Sequence, residues 1–353
     1  MDDNRKKALL ILSPGFPESE ADTTCLPPQQ VFVRALKAEN PELHIIVLSF
    51  QYPFFAAEYD WHGIRVISFG GRSRGKLFRL NTWLKVWRAL GLLNKQYQIL
   101  GLLSFWLGEC AFVGHYFARI KNIKHRCWML GQDAKGGNKY AKWIKPKGDE
   151  LIALSDFIVR EFTKNYQVKP LNVIPVGIDT SLFADLSAGK DIHISGVGSL
   201  IPLKRFHLFI EAVAMLKQYY PDIKTVICGD GPEKEKLLKQ IKSKQLENNI
   251  TLAGELPHHE VLKMMQRSRV LFHPSEYEGF GAVCLEALYA GAEVVSFVKP
   301  MDNSITNWYI VNDMEEAGQT IRWVLDKPDS GTKNVLVYEI RDNVRKMMEV
   351  FEQ

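Results

Sequence analysis

The sequence predicts an α/β protein with two doubly wound layers, each built around a parallel sheet. Short apolar runs rich in β-branched residues alternate with segments of helical periodicity, which is typical of parallel strands joined by crossover helices. The alternation begins again near Asp191, after a turn and loop at Thr180–Gly189 that contains Ala, Ser and Gly. The length of 353 residues also favours two domains, since one domain usually takes roughly 100–200 residues.

We predict a first domain at residues 1–182 and a second at residues 183–335. In the first domain strands are expected at Lys7–Ser13, His44–Phe50, Ile64–Phe69, Gln98–Phe105, Arg126–Leu130, Glu150–Leu154 and Leu171–Pro175, and helices at Gln29–Ala38, Lys76–Leu93, Glu109–Ile120 and Asp156–Asn165. In the second domain strands are expected at Asp191–Gly198, Ile223–Gly229, Ile250–Ala253, Val270–His273 and Glu293–Phe297, and helices at Arg205–Tyr219, Lys234–Gln245, His259–Gln266 and Gly281–Ala290. Residues 336–353 hold a last helical stretch, Tyr338–Phe351, for which packing back on the first domain is one option.

The composition excludes several classes of protein. Hydrophobic residues make up 46% and charged residues 24%, which is typical of globular proteins and excludes disordered chains, collagen-like fibres and polytopic membrane proteins. Apolar runs such as Ala8–Leu12 and Ile99–Leu103 are too short for a spanning helix or a secretory signal. Five scattered cysteines without a CxxC pair indicate buried thiols in a reducing compartment, with a catalytic cysteine as the less favoured alternative. We therefore expect a cytoplasmic protein.

The charge is unevenly distributed along the chain. A net charge of +5 is too small to indicate a nucleic-acid partner, but residues 1–150 hold 22 Lys/Arg against 13 Asp/Glu. Eight basic residues and no acidic one lie in residues 65–95, where Leu77, Leu80, Leu84, Trp87 and Leu90 recur at helical spacing. The favoured interpretation is a core-facing helix with a solvated basic edge. Peripheral contact with the inner face of an anionic membrane and an acceptor-phosphate groove are the alternatives.

The segment from Ser275 to Leu288 carries the strongest functional signal. A strand ending in His273-Pro274 leads into a turn flanked by Gly279 and Gly281, and a helix follows. Glycines let the backbone approach a ligand closely, and unpaired N–H groups at a helix start favour a diphosphate or a sugar hydroxyl. Glu278 precedes this helix, while Glu286 lies inside it among apolar residues, where its two oxygens could accept both hydroxyls of a ribose. The alternative is a capping acid plus one exposed glutamate.

Three further turns join a strand to the next segment. GVGSLIPLKR at 196–205 contains Gly198, Ser199, Lys204 and Arg205, and a cation at such a position can neutralise a leaving diphosphate. A solvated basic helix start explains these residues equally well, and the absence of a third glycine argues against a dinucleotide site. CGDGP at 228–232 and IPVGID at 174–179 are ordinary turn sequences when each is taken alone.

Taken in order, these segments resemble the C-terminal half of a GT-B-fold glycosyltransferase of the large retaining family called family 4. Glu278 and Glu286 are separated by seven residues within EGFGAVCLEAL, which is the spacing of that family's two glutamates. IPVGID is similar to the family's IPNGVD, GDGP is present unchanged at 229–232, and the lysine of the strand–helix loop falls on Lys204. The resemblance covers about Ile174 to Val295, and the first domain fits in architecture alone.

The resemblance implies two Rossmann-like domains that face each other across a cleft. It also implies that Glu286 holds the ribose, that Lys204 contacts the diphosphate and that Glu278 faces the transferred sugar. The backbone amides of Phe280 and Gly281 would lie near the donor. Loop residues would complete the donor site, with Gly198 and Ser199 in the first loop and Gly229 and Gly231 in the nucleotide-shaping turn. Ser199 stands where the family usually has arginine, so one diphosphate contact is either missing or supplied by Arg205. Asp133, which follows a first-domain strand, is a candidate catalytic contact to sugar or acceptor.

The resulting functional prediction is transfer of a sugar from a nucleotide diphosphate sugar to an acceptor hydroxyl, on a glycan or lipid-linked glycan, with retention. Because no Asp-x-Asp pair stands at a strand end, we expect neither a metal nor another cofactor, with the phosphate charge met by Lys204, Arg205 and helix N–H groups. Alternatives on the same fold are a sugar-nucleotide epimerase or a phosphorylase. Another is a catalytically silent glycan- or membrane-binding protein, since the family's Gly-Gly-x-x-Glu segment is absent from Phe297–Asn312.

Overall fold

The computed structural model describes residues 5–183, 189–328 and 333–352. The chain forms two compact units, a first unit of residues 1–177 with 340–353 and a second unit of residues 178–339. The main segment of the first unit therefore ends at residue 177, five residues before the predicted domain end at residue 182. Ile178 belongs to the second unit because its N–H donates to the carbonyl of Tyr338 at 2.9 Å. Part of the predicted junction, residues 184–188, lies outside the described residues.

The described strands of the first unit form one eight-stranded sheet in the order β3-β4-β2-β1-β5-β6-β7-β8. Its strands are β1 (Lys7–Gly15), β2 (His44–Tyr52), β3 (Ala56–Trp61), β4 (Ile64–Phe69), β5 (Gln98–Phe105), β6 (His125–Met129), β7 (Leu151–Ala153) and β8 (Asn172–Val173). Its helices are α1 (Pro27–Glu39), α2 (Lys76–Gln96), α3 (Glu109–Lys121), α4 (Lys139–Ile144), α5 (Asp156–Tyr166) and α11 (Ile340–Glu352). Within the described residues, all neighbouring strands pair in parallel except β3, which is antiparallel to β4.

The described strands of the second unit form a parallel six-stranded sheet in the order β11-β10-β9-β12-β13-β14. Its strands are β9 (Ile192–Val197), β10 (Thr225–Cys228), β11 (Ile250–Gly254), β12 (Ser268–His273), β13 (Glu293–Ser296) and β14 (Trp308–Ile310). Its helices are α6 (Phe206–Leu216), α7 (Lys234–Ser243), α8 (His258–Gln266), α9 (Ala282–Tyr289) and α10 (Met314–Asp326). The predicted α/β class with two doubly wound parallel layers is confirmed.

Four elements were missing from the sequence prediction: β3, α4, β14 and α10. β3 is an edge strand whose side chains are mostly exposed or half-buried, so it has no continuous apolar run. The helix α4 has six residues and β14 has three, which is too short for a periodic signal. The helix α10 follows β14 directly and packs Ala317, Ile321 and Val324 into the core.

The last helix, α11, packs on the first unit. Phe351 is buried, and its carbonyl accepts a hydrogen bond from Lys124 Nζ at 2.8 Å. The side-chain amide of Asn343 donates to the carbonyl of Pro175, also within a buried contact. Gly101 in β5 leaves room for Phe351, since a Cβ there would lie 2.4 Å from the ring. The helix is therefore held by both apolar burial and specific hydrogen bonds.

The basic helix α2 changes character along its length. Its second half is a core-facing helix, with Val86, Leu90 and Leu93 buried. Its first half exposes apolar side chains instead: Leu77, Phe78, Leu80 and Leu84 are 83%, 58%, 51% and 51% exposed. The favoured sequence interpretation is therefore incomplete for this first half, which turns Thr82 and Trp83 towards the core but also exposes an apolar side. Among the described residues, no helix combines the length and apolar character needed to span a membrane.

All five cysteines are free thiols. Cys110, Cys127, Cys228 and Cys284 are buried, as expected from their scattered positions, while Cys25 is half-buried. Burial raises the pKa of the Cys25 thiol to about 12, and the carboxylates of Asp22 and Glu18 add to this effect. A thiol with a raised pKa is a poor nucleophile, so none of these environments favours a catalytic cysteine.

Candidate active site

The candidate site lies at the carboxyl edge of the second unit's sheet. The loops that follow the neighbouring strands β9 and β12 approach each other there, and the N–H of Glu276 donates to the carbonyl of Leu203 at 3.0 Å. Parallel strands all deliver their following loops to the same edge, which is where ligands bind in open α/β sheets. The predicted residues of both loops are thus brought together within one unit.

Glu278 is the centre of a buried polar cluster. Its Oε1 accepts hydrogen bonds from Ser275 Oγ at 3.0 Å and from His273 Nε2 at 3.1 Å, and it forms an ion pair with Lys204 Nζ. The side chains of Glu278 and Lys204 are only 16% and 19% exposed. Ion pairs this protected from water are little screened by salt. The cluster therefore holds one carboxylate and one ammonium in a defined geometry.

The electrostatics of this cluster favour an ionised Glu278. Burial by itself raises the pKa of a carboxyl group, but the hydrogen bond from His273 and the charge of Lys204 outweigh burial and lower the pKa of Glu278 to about 2. Burial lowers the pKa of His273, so the neutral imidazole donates through Nε2–H. The cluster consequently carries one negative charge on Glu278 and one positive charge on Lys204 at neutral pH.

The glycines of the turn after β10 allow its backbone to contact the loop after β9. Gly229 has φ +142°, and a Cβ there would lie 2.0 Å from the carbonyl oxygen of Gly198. A Cβ on Gly231 would lie 2.6 Å from the carbonyl oxygen of Leu200. The N–H of Leu200 donates to the carbonyl of Asp230 at 2.9 Å. The GDGP turn thus supports the loop that carries Lys204, a structural reason for glycine at both positions.

Arg205 is engaged with the Glu278 loop. Its Nε donates to the carbonyl of Pro274 at 2.8 Å and its Nη2 to that of Ser275 at 3.4 Å. The guanidinium also lies 4.9 Å from the ring centroid of Phe297. These contacts hold the loop in place. The neighbouring Ser199 is exposed.

The helix α9 begins directly after this loop. Gly281, with φ +86°, precedes its first residue, and no side chain caps the helix start. Phe280 is 2% exposed, and its ring packs against Trp308 and Tyr338 at centroid distances of 5.9 and 5.8 Å. The N–H groups that follow Gly281 are therefore delivered by a rigidly packed turn, which suits an anion.

Glu286 has a partner that the sequence analysis missed. His258 Nε2 lies 2.8 Å from Glu286 Oε1, and the two side chains are 15% and 11% exposed. Burial lowers the pKa of His258, but the hydrogen bond and charge of Glu286 outweigh burial and raise it. Glu286 is thus a buried, paired carboxylate and not an exposed surface glutamate. The sequence does carry one indication of this function: His258 follows the end of β11, just as the other site residues follow strands.

Asp133 lies in the first unit and is bound by backbone groups. Its Oδ2 accepts from the N–H of Leu107 at 2.8 Å and its Oδ1 from that of Gly131 at 2.8 Å, with Leu130 N–H at 3.4 Å from Oδ2. Burial raises the pKa of Asp133, although these amides act in the opposite direction. The carboxylate joins the loops after β5 and β6, so it has a structural function in the fold.

Among the residues that the structure describes, no group of three His, Cys, Asp or Glu side chains is arranged so that it could hold a metal ion.

The residues of the second unit match the model of a known family. Residues 178–338 match the family model described as glycosyl transferases group 1. These residues form a group 1 glycosyl transferase domain. The match begins where the second unit begins and ends one residue before it ends. The resemblance inferred from Glu278, Glu286, Lys204 and the GDGP turn is thereby confirmed at the level of this family.

Curated relatives match part of the chain. Curated relatives include the glycogen synthase of Mycobacterium tuberculosis, 26% identical over 58% of this chain and 52% of the relative. An N-acetylgalactosaminyltransferase of Campylobacter jejuni that acts on a diphospho-undecaprenol substrate is 31% identical over 43% of this chain and 42% of its own. The chain spans about half the length of the glycogen synthase that it matches.

Solved structures cover the chain more completely. A glycosyltransferase from Rickettsia africae has a TM-score of 0.73 with 16% identity and covers 99% of this chain and 98% of its own. Anabaena HepE, solved with UDP and glucose, has a TM-score of 0.71 with 17% identity and covers 99% of this chain and 100% of its own. At these identities the likeness shows the fold, which is GT-B as predicted.

Proposed function

We propose that this protein is a glycosyltransferase that moves a sugar from a nucleotide diphosphate sugar to an acceptor hydroxyl with retention. The observation that carries the proposal is the Lys204–Glu278 pair, buried at the carboxyl edge of the sheet inside a group 1 domain. An ion pair with a purely structural role could lie anywhere in the core. A pair that contacts both a leaving diphosphate and a transferred sugar must lie where ligands bind, at the carboxyl edge of the sheet. The two ends of the donor develop opposite charges, and the pair offers one charge of each sign.

Lys204 acts on the leaving group. As the anomeric C–O bond breaks, its electron pair stays on the diphosphate, and negative charge grows on oxygens that the Lys204 ammonium can stabilise. The uncapped N–H groups that follow Gly281 add a second positive potential. With these groups meeting the charge, we propose that the reaction needs no metal ion.

Glu278 acts on the sugar. Held ionised by Lys204 and His273, it can accept hydrogen bonds from sugar hydroxyls and stabilise the positive charge that develops at the anomeric carbon. The acceptor oxygen forms the new bond on the face from which the diphosphate departs, and its proton passes to a diphosphate oxygen. This front-face course gives retention, which the family-4 resemblance implies.

The acceptor is proposed to be a glycan or a lipid-linked glycan. Exposed Leu77, Leu80 and Leu84 lie on one side of α2 at spacings of three and four residues. Residues 65–95 hold eight basic residues and no acidic one, although Arg65 and Arg79 pair with Glu58 and Glu109 of other segments. An exposed apolar stripe with a basic rim favours the surface of an anionic bilayer. We therefore propose a peripheral membrane contact at this helix.

A vesicle experiment tests the membrane contact. Co-sedimentation with phosphatidylglycerol vesicles should retain the wild type at low salt and release the double variant Leu80→Glu/Leu84→Glu. A matched control is Leu238→Glu, which changes an exposed leucine of the second unit. Equal sedimentation of wild type and both variants would contradict the proposal.

Incubation with a panel of radiolabelled nucleotide sugars tests the enzyme activity itself. Release of free nucleotide by the wild type and loss of release in Glu278→Gln would support the proposal. Binding of a nucleotide sugar without any turnover would instead favour a catalytically silent binding protein. Conversion of the donor into another nucleotide sugar without an acceptor would favour an epimerase.

A further inference from the structure

We propose that His258 is a positioning residue for the ribose of the donor nucleotide, because its Nε2 holds Oε1 of Glu286 and fixes the direction of that carboxylate. The inference rests on the proposed function, which places the ribose at Glu286. It assigns a function to a side chain that lies outside the family motifs and on a different helix from Glu286.

The geometry gives His258 a firm anchor. It is the first residue of α8, directly after Pro257, whereas Glu286 lies in the middle of α9. The two helices pack against each other. A hydrogen bond of 2.8 Å between largely buried side chains therefore connects two rigid elements. Neither side chain can turn away without leaving a buried polar group unpaired, which is costly.

The hydrogen bond survives either protonation state of the imidazole. A carboxylate only accepts hydrogen bonds, so His258 Nε2 must carry the hydrogen. Both the imidazolium and the neutral Nε2–H tautomer provide that donor. The Glu286 carboxylate is thus oriented throughout the neutral pH range, and its direction does not depend on the charge of His258.

The arrangement leaves acceptor capacity for a ligand. An ionised carboxylate offers about four lone-pair sites on its two oxygens. His258 uses one of them, so Oε2 and the second lone pair of Oε1 stay available for two neighbouring hydroxyls. A glutamate that is already ordered loses less side-chain entropy when the ribose binds, and preorganisation of this kind raises affinity.

The competing explanation is that His258 only links α8 to α9. Calorimetry can separate the two, because a structural link affects every ligand of the unit equally while a positioning residue affects the ribose hydroxyls. The probes are UDP, GDP and ADP, followed by the 2′-deoxy form of whichever binds most tightly. The variants are His258→Leu, which cannot donate, and His258→Gln, which can. The control is His259→Ala, which removes the neighbouring histidine whose side chain is 60% exposed.

We expect His258→Leu to weaken binding of the ribonucleotide by roughly tenfold, as for loss of a hydrogen bond to a charged group. Binding of the deoxynucleotide should change by less than about threefold, and His258→Gln should restore most of the preference for ribose. The double variant His258→Leu/Glu286→Ala should bind no more weakly than Glu286→Ala. If His258→Leu does not fold, His258→Asn replaces it, since its shorter amide cannot reach Glu286.

The binding measurements distinguish failure of the His258 assignment from failure of the ribose site and of the proposed function. Equal weakening of both nucleotides by His258→Leu, or no weakening at all, would overturn the assignment of His258, provided that Glu286→Ala still removes the preference for ribose. If Glu286→Ala leaves that preference intact, the ribose is not at Glu286 and the inference falls with it. Failure of the wild type to bind any of the three nucleotides would overturn the proposed function itself.

Discussion

Each unit holds a buried carboxylate after a strand of its sheet, and the two are bound by different partners. In the first unit Asp133 accepts hydrogen bonds from backbone N–H groups, as those of Leu107 and Gly131 show. In the second unit Glu278 accepts hydrogen bonds from the side chains of His273 and Ser275 and pairs with the charge of Lys204. Backbone donors cannot leave without unfolding a loop, whereas side chains can turn towards a ligand. The comparison indicates that the first carboxylate maintains structure and the second can do chemistry.

Two buried histidines show the same contrast. In the first unit His125 Nε2 lies 2.9 Å from the hydroxyl of Ser104, an uncharged partner, and burial lowers the pKa of His125 to about 3. In the second unit His258 faces the carboxylate of Glu286, which outweighs burial and raises the pKa of His258. His125 of the first unit is thus matched with a neutral partner, and His258 of the second unit with a charged one.

The largest effect is expected from Lys204→Ala. Removing the ammonium takes away stabilisation of the leaving diphosphate and leaves Glu278 as a buried carboxylate with one charge partner fewer. Turnover at saturating donor should fall by about a hundredfold or more, the scale of a lost electrostatic stabiliser, and donor binding should weaken less. Steady-state kinetics with Lys263→Ala, a substitution of an exposed lysine, as the control will measure it. Full turnover in Lys204→Ala would place the diphosphate contact elsewhere.

Asp133→Ala should act on stability. Its N–H partners in two loops would lose their acceptor, which costs about 2–4 kcal/mol of the free energy of unfolding by the scale of unsatisfied buried donors. Urea denaturation of Asp133→Ala beside Asp149→Ala, a change at an exposed aspartate, measures the difference. The sequence instead predicts a catalytic contact at Asp133. A variant that keeps wild-type stability but loses turnover would support that expectation and contradict the comparison drawn above.

Arg205→Ala should have an intermediate effect. Loss of the hydrogen bonds to Pro274 and Ser275 carbonyls loosens the loop that carries Glu278, so turnover should fall by roughly tenfold. Arg205→Lys should recover little of it, because one ammonium cannot reproduce the forked donors of a guanidinium. A kinetic comparison of both variants will show this. Complete recovery in Arg205→Lys would indicate that the charge matters and the fork does not.

Much of the fold could be predicted because parallel strands buried on both faces are continuous apolar runs. β5, Gln98–Phe105, was predicted with the bounds that the structure has. Elements that lack such a run were missed, as β3 illustrates with its exposed edge-strand residues. The division between the units was also displaced, because the hydrogen bond between Ile178 and Tyr338 joins positions far apart in sequence.

The candidate site was predictable where the motif lies within one continuous segment. Glu278 and Glu286 could be found by their spacing, and Lys204 by its loop. His258 and His273 could not be paired with these glutamates from the sequence, because each contact depends on how separate elements pack. The exposed apolar side of α2 was only an alternative in the sequence prediction for a related reason: periodicity shows that one face is apolar, but only packing shows whether another element covers it.

A smaller effect is expected from acid on the first unit. The pKa of His125 is lowered to about 3 when folded and is about 6.5 when unfolded, so the unfolded state binds the proton more readily. The stability contributed by the neutral imidazole is complete above the unfolded pKa and is lost as the pH falls towards the folded pKa. Near pH 5.5 the loss is about 1 kcal/mol. His125→Gln should remove this loss in urea titrations at pH 7.5 and 5.5, and an unchanged pH dependence would contradict it.

The smallest effect, none at all, is expected from removal of metal ions. In the proposed mechanism the charge of the leaving diphosphate is met by the Lys204 ammonium and by the N–H groups that follow Gly281, so a divalent cation has no step to perform. Turnover should therefore be the same before and after treatment with EDTA. Lys204→Ala sharpens the test, since millimolar manganese should not restore its activity. If EDTA abolished turnover and manganese restored it, the positive charge at the second unit's site would come from a bound cation, and the side-chain partners that distinguish Glu278 from Asp133 would no longer explain the chemistry.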